Sequence, residues 1–393
     1  MTLTVTRNLP LVSPSGNPMV VKVNTTNQYD IESNPRPFYS LFIDIISEMG
    51  SPFTTIHTDN IQPDNDGNAM FDISEIIKNQ VTPSLPWPLD ENSQAVKDEE
   101  AVFKFHFKIY EGYGLPFETY APVITSDSLY AIPGGLSFDL LTEIENADSN
   151  QYSFLMANQL FLTNQPRNKR SSSKQTETLR WFNYQIEAVP AKLFVKQFSF
   201  NTEESTITEL WSGTLDELSL YDFNITPDIA FSLADNTDKW EVYLTDDTLS
   251  VISEVMSYRL PDLPYKNNRV LMFQNSLGGF DSVLATGDFH SKLEREENIS
   301  FQPLNTAIRK ALIPTQERPK ALNIFSGSIG YFSESELSWL SDLFLSEKRY
   351  MIQDDKLSNI VLRQNEQAVG SDSSPTNIEI EAILGVADFF FQD

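Results

Sequence analysis

The run VFKFHFKIY at residues 102–110 decides how the rest of the chain is read. From Phe103 onward, Phe103, Phe105, Phe107 and Ile109 alternate with Lys104, His106 and Lys108. A period of two places the apolar side chains on one face of an extended strand and the polar ones on the other, as in a strand that buries one face and wets the other. Shorter apolar or alternating runs at residues 19–23 and 39–46, punctuated by Pro, Gly, Asn and Asp, extend this to an antiparallel sandwich. Within it, residues 71–81 place Ile73, Ile76 and Ile77 at helical spacing with Asp72 or Ser74 as a cap, which predicts one short helix.

Strand-like runs continue at residues 154–162, 180–188, 192–200, 206–211, 240–244 and 269–274, with few helical patterns between them. The basic insert RNKRSSSK (167–174) lies between two of these runs and reads as a hairpin loop. The Pro-rich stretch 260–265 reads as an edge or connector, since proline cannot serve a central ladder. In NSLGGFD (275–281), Gly278 and Gly279 follow one apolar run and precede another. A tight turn is expected, because a phosphate loop would need a following helix and a Lys-Ser/Thr pair.

Near residue 300 the character changes. Ser333 and Glu336 have capping-box spacing, and Leu337, Leu340 and Phe344 then recur on one helical face. Apolar runs at 350–352 and 360–363, a polar break at 370–376 and a run at 378–391 predict a helix on a small sheet. The expected fold is therefore mainly β, with tandem β-sandwich (immunoglobulin-like) domains and a small α+β C-terminal domain. Its expected divisions are an N-terminal sandwich with one short helix at 1–120, a central β-rich region at 121–300 and the α+β domain at 301–393. Gly67, Phe71, Asp72 and Ile73 share their spacing with Gly134, Phe138, Asp139 and Leu140, each set followed by a Glu-Ile pair. Domain duplication and chance recurrence of a turn followed by a strand both stay open.

A chain of 393 residues exceeds what one core usually organises, and 27 Phe and 14 Tyr supply apolar surface for packed interiors. The formal charge of −27 repels phosphate backbones and anionic headgroups, so nucleic acid is a poor partner. With no Cys, disulfides, thiolate nucleophiles and Cys-based zinc sites are excluded. Residues 1–10 lack the apolar run of a secretory signal, and no stretch approaches the roughly 20 apolar residues of a bilayer span. The expectation is a protein made in the host cytoplasm without a signal peptide and without membrane insertion.

No catalytic constellation is evident. His57, His106 and His290 are the only histidines and form no HExxH or HxH arrangement, and no GxSxG elbow is present. His106 sits on the polar parity of its strand. Asp64, Asn65, Asp66 and Gly67 resemble a calcium loop briefly, but Gln62 and Ile73 would fall where an EF-hand needs Asp and Glu, so a polar turn before a strand is expected. Asp246 and Asp247 read as another turn, with calcium held between loops as the open alternative in so acidic a chain. Trp87, Trp181, Trp211, Trp240 and Trp339 could stack on sugars, although aromatic residues in strands pack in cores first. Arg167, Lys169, Arg170 and Lys174 stand out against the acidic background, either as a docking loop for an acidic patch on another subunit or as a solvated hairpin tip. No cofactor or metal is expected.

The segment RVLMFQNSLGGFDSVLATGDF (269–289) resembles a stretch of tail-region structural proteins from phages and prophages of Bacteroidetes-type bacteria. MFDISEII (70–77), FLTNQPR (161–167) and LSWLSDLFLSEKRYMI (337–352) resemble the same group. The resemblance implies a sandwich-rich virion component of a tail, baseplate or tail-like particle, built from repeated copies around an axis. Its partners would be other copies of itself and other tail or virion proteins. It carries no catalytic residues over. The alternative expectation is a glycan-binding, adhesin-like surface or secreted protein whose partner is a host-surface glycan, and a sandwich glycosidase forms a third class.

Overall fold

The computed structural model describes residues 2–29, 34–87, 94–116, 118–147, 149–173, 175–200, 205–234, 236–260, 269–296, 299–305, 310–316, 320–353, 356–363 and 375–384. Lys174, most of the Pro-rich stretch 260–265, the polar break at 370–374 and the end of the last apolar run, 385–391, lie outside them.

Strands β1 (Leu3–Arg7), β2 (Val12–Pro14), β3 (Val20–Thr25), β4 (Ser40–Ser47), β5 (Thr54–Ile61) and β6 (Asn68–Asp72) precede helix α1 (Ser74–Lys78). Strands β7 (Ala95–Lys97), β8 (Phe103–Tyr113), β9 (Glu118–Thr125) and β10 (Leu129–Ile132) lead to helices α2 (Phe138–Asn146) and α3 (Gln151–Asn158). Then come β11 (Lys169–Arg170), β12 (Thr178–Phe182), β13 (Val189–Ser199), β14 (Ser205–Leu215), β15 (Leu220–Asn224), β16 (Thr237–Asp246) and β17 (Met256–Arg259). The rest holds β18 (Arg269–Gln274), β19 (Phe280–Ala285), β20 (Phe289–Glu296), β21 (Ile299–Asn305), β22 (Lys310–Gln316) and β23 (Lys320–Phe332). Helix α4 (Glu334–Leu345) and strands β24 (Arg349–Gln353), β25 (Lys356–Leu362) and β26 (Thr376–Leu384) close the chain. The molecule is mainly β, with several sheets, sandwich-like packing and few helices.

Two compact units share the sequence in alternation: Met1–Asn164, Glu177–Ser257 and Asn275–Phe280 form the first, and Gln165–Thr176, Tyr258–Gln274 and Asp281–Asp393 the second. The divisions expected at residues 120 and 300 are continuous cuts, whereas these units interleave.

In the first unit, sheet β1-β3-β6 and sheet β2-β10-β8-β4-β5 share one core. Phe103, Phe105, Phe107 and Ile109 of β8 are buried there with Leu41, Ile43 and Ile45 of β4, and with Val21, Val23 and Phe71 of the other sheet. Lys104, His106 and Lys108 occupy the opposite, half-buried face. Each such Phe or Ile contributes about 2 kcal/mol by leaving water, so one register step in β8 would forfeit the whole set. Helix α1 matches the expected short helix: Ile77 is buried and the Asp72 carboxylate accepts the Ser74 N–H at 3.0 Å.

Further along this unit, β13 lies between β14 and β16, and β12-β15-β7 form a separate sheet. Trp211 of β14 meets Phe223 of β15 edge-on at 5.6 Å, which ties the two sheets together. The turn at Gly278 is tight for a backbone reason. Gly134 and Gly278 both have positive φ, and a Cβ on Gly134 would lie 2.1 Å from the Leu277 carbonyl carbon. Two turns therefore meet backbone to backbone, a contact only glycine permits.

Helices α2 and α3 correct the strand-like reading of residues 154–162 and of the stretch after Gly134. In α2, Leu140, Leu141 and Ile144 recur at helical spacing against the core, while Phe138 is 81% exposed. The Asn150 side chain caps α3 by accepting the Ser153 N–H at 3.0 Å. The echo with residues 67–73 is thus not structural, since Phe71 is a buried strand residue and Phe138 an exposed helical one.

In the second unit, seven strands run in the order β19-β18-β24-β25-β26-β23-β20. Helix α4 packs Leu337, Leu340 and Leu343 into a core with Leu271, Phe273, Ile378 and Ile380. The capping box forms as its spacing predicts, the Glu336 carboxylate accepting the Ser333 N–H at 2.7 Å. Among the described residues no helix is long and apolar enough to cross a membrane.

One buried charge cluster pins the first unit. Arg180 of β12 has no exposed side-chain surface. Its Nε and one terminal nitrogen donate to both oxygens of Asp222 on β15, at 2.7 and 2.5 Å. The guanidinium also donates to Asp98 at 3.0 Å, to the Ser84 carbonyl at 2.8 Å and to the Gly278 carbonyl at 3.2 Å. Asp98 in turn accepts from the Ser84 N–H and hydroxyl. Arg180→Met leaves two buried carboxylates without a counter-charge and should cost about 3–5 kcal/mol, read from the urea midpoint and slope. Lys97→Ala, which breaks the partly exposed pair with Asp216, should cost about 1 kcal/mol or less in the same titration.

Candidate functional site

The basic segment is not a hairpin tip. Lys169 and Arg170 form β11, which pairs in parallel with Tyr258 and Arg259 of β17, a partner far along the chain. Lys169 is only 2% exposed. Its ammonium lies 5.3 Å from the Trp339 ring centre and 5.9 Å from that of Tyr258, and 3.4 Å from the Ser282 hydroxyl. Ring faces of this kind partly offset the loss of water around a cation. Arg170 donates to the Tyr331 carbonyl at 2.6 Å, reaches both Glu336 oxygens at 3.4 Å and stands over the Phe332 ring. Arg167 is exposed. Of the four basic residues proposed for docking, Lys169 is buried in the second unit, Arg170 is exposed but tied to Tyr331 and Glu336, Arg167 is exposed, and Lys174 lies outside the described residues.

The histidines occupy three separate strands, β5, β8 and β20, and His106 alone joins a polar cluster. Its Nδ1 is 2.8 Å from Glu48, and the Ser128 hydroxyl donates to both Glu48 oxygens at 2.9 Å. Lys104 adds its ammonium at 3.5 Å. The residue types are those of a hydrolase triad, but the order is wrong for one. The carboxylate sits between serine and histidine, so the imidazole cannot take the serine proton through that contact. Burial alone would raise the Glu48 carboxyl; Ser128, His106 and Lys104 together outweigh it and hold the group below its ordinary range. The cluster is a charge clamp between β4, β8 and the start of β10. Only the outward parity of Lys104 and His106 was visible in the sequence.

A second missed network surrounds Glu111, buried just past the alternating run. One carboxylate oxygen accepts from Tyr39 at 2.8 Å, Thr25 at 3.1 Å and Asn27 at 2.7 Å. Burial is the main reason the Tyr39 hydroxyl is pushed far up and stays a donor. Asp64 forms the polar turn expected before β6, accepting the N–H groups of Asp66 and Asn68 while Gly67 takes φ +82°.

A cleft of about 440 Å³ is lined by Trp181, Asn183, Tyr184, Glu187, Asp246 and Ile252 among others. Its rim carboxylate Asp246 is committed to its own turn, accepting from the Thr248 and Ser250 N–H groups and the Thr248 hydroxyl. Trp181, Trp240 and Trp339 are buried, and Trp87 and Trp211 are half-buried. Among the described residues no three His, Asp or Glu side chains converge as a metal ion would require.

What the first unit does present is sheet edge. Strands β5 and β14 end their sheets, and no strand pairs their outer sides among the described residues. Ten of the eleven β14 residues are exposed or half-buried.

No family model matches the chain, and no curated protein matches it significantly. Similar solved structures include the Salmonella enterica SafA pilin in complex with the SafB chaperone, at 10% identity and a TM-score of 0.18, covering 66% of this chain and 96% of that one. The E. coli chaperone DraB matches at 9% identity and a TM-score of 0.18, over 66% of this chain and 97% of that one. Dimeric latent PorU from Porphyromonas gingivalis matches at 8% identity and a TM-score of 0.19, over 83% of this chain and 32% of that one. TM-scores of this size carry no argument about what the chain does.

The Glu48 clamp yields a pH test. A carboxyl held below its ordinary value of 4.5 adds stability that is present above that value and lost as pH falls through the lower folded-state value. The stability gap between the parent chain and Glu48→Gln should shrink as the pH is lowered below that ordinary value. Urea titrations at stepped pH check this; a gap independent of pH would count against the clamp.

Proposed function

We propose that this chain is a structural assembly protein that works by joining copies of itself and partner proteins, as in the tail, baseplate or related layer of a phage or tail-like particle. The observation that carries the reading is the pair of long outer strands, β5 and β14, left at sheet ends with exposed side chains. An outer strand offers a row of backbone donors and acceptors that another chain can complete. Proteins that stay monomeric commonly blunt such edges with charge, proline, a bulge or a cover; β14 contains no proline and one charged residue, Glu209, and its one bulge, at Leu210, lies beyond the run 205–209.

Two further features support the reading. The acidic clusters at Glu48 and Glu111 are used to clamp strands, and so is the cluster at Arg180, so the charged chemistry inside the first unit is spent on rigidity. The sequence also resembles tail-region structural proteins over several separated segments, which fits a part repeated around an axis. The purified chain should therefore form a discrete assembly of several copies, with the mass read by sedimentation velocity and native mass spectrometry. A chain that stays monomeric at every concentration tested, and is missing from purified particles, defeats the proposal.

A further inference from the structure

The edges available to an assembling copy are unequal. Strand β20, which ends the sheet of the second unit, carries charged residues at positions 292, 294, 295 and 296. Strand β5 is eight residues long and carries Asp59. Strand β14 is eleven residues long, and its only charge, Glu209, has Lys192 of its neighbour strand at 3.3 Å. Two copies of a chain with formal charge −27 repel each other, so of these three edges β14, with a single, ion-paired charge over eleven residues, opposes a second copy least.

The register within β14 is also uneven. Residues 205–209 pair in step with Phe198 back to Phe194 of β13, but Trp211 then faces Leu193, leaving Leu210 as an extra residue. Such a bulge bends the strand and interrupts its ladder, so the straight run is 205–209, all exposed, with Ile207 56% exposed at its centre.

We propose that residues 205–209 of β14 pair antiparallel with the same run of a second copy, about a two-fold axis centred on Ile207; this rests on the assembly reading above. In that register Ile207 faces Ile207, Thr206 faces Thr208, and Ser205 faces Glu209. Apolar meets apolar, hydroxyls meet hydroxyls, and each carboxylate meets a hydroxyl donor. A slip by two residues sets Ile207 against Glu209 in one direction and against Ser205 in the other, and a slip by four in the first direction sets the two Glu209 side chains against each other. Only the register centred on residue 207 sets the exposed isoleucine against its own copy. Pairing would extend the β16-β13-β14 sheet across both copies.

The test uses the full chain with Ile207→Lys and Ile207→Glu, exposed changes whose folding is checked by circular dichroism. Each variant alone sets like charges across the axis and should weaken self-association by about tenfold or more in sedimentation velocity, whereas an equimolar mixture of the two should recover it. If the parent associates and both variants associate equally well, the β14 pairing is wrong while the assembly reading stands. Loss in both variants without recovery in the mixture also overturns the pairing, because opposite charges at this position would then not meet. A parent chain that never associates defeats the assembly reading, and this pairing with it.

Discussion

The first unit depends on one cation. Arg180 draws together Ser84, Asp98, Asp222 and Gly278, residues from four separate stretches, with its own side chain fully buried. A guanidinium in that position is costly by itself, as are the two carboxylates around it. The arrangement is stable because each charge satisfies the others and backbone carbonyls take the remaining N–H groups. Apolar packing can be satisfied by many arrangements of similar volume, but this fork of donors accepts few. The cluster fixes which turn lies where, and the surrounding hydrophobic faces supply the bulk of the burial.

Local order was legible wherever a pattern repeats within one element. The alternation at 103–109, the capping box at 333–336 and the glycine turn at 278–279 each encode their geometry in a few adjacent residues, and each appears as read. Helices α2 and α3 were missed because their apolar residues cluster enough to mimic strand runs, and α3 buries only Leu155 fully. Their signals were Asn150 as a cap and the 140, 141, 144 spacing. Lone Arg180 within an apolar run was the trace of the charge cluster, but its partners lie up to 98 residues away, and no spacing rule names them.

The candidate sites show the same division. A run of basic residues announces charge and says nothing of what faces it, so Lys169 could be read as a solvated tip although aromatic rings enclose it. Asp64 and Asp246 were legible as turns because an aspartate accepting N–H groups two and four residues on is a local arrangement. The edge character of β14 was not legible. Which strand ends a sheet depends on pairing order, and pairing order is a property of the whole chain.

The alternation of the two units along the sequence also governs how the chain can be born. Synthesis proceeds from the amino terminus, and the first unit lacks its last segment, Asn275–Phe280, until well over half the chain has left the ribosome. Asp98, a partner of the guanidinium at residue 180, is already synthesised when that residue is made, whereas its Gly278 partner is translated only 98 residues later. The buried guanidinium of the first unit can therefore gain its full set of partners only once the glycine turn at residue 278 has been made.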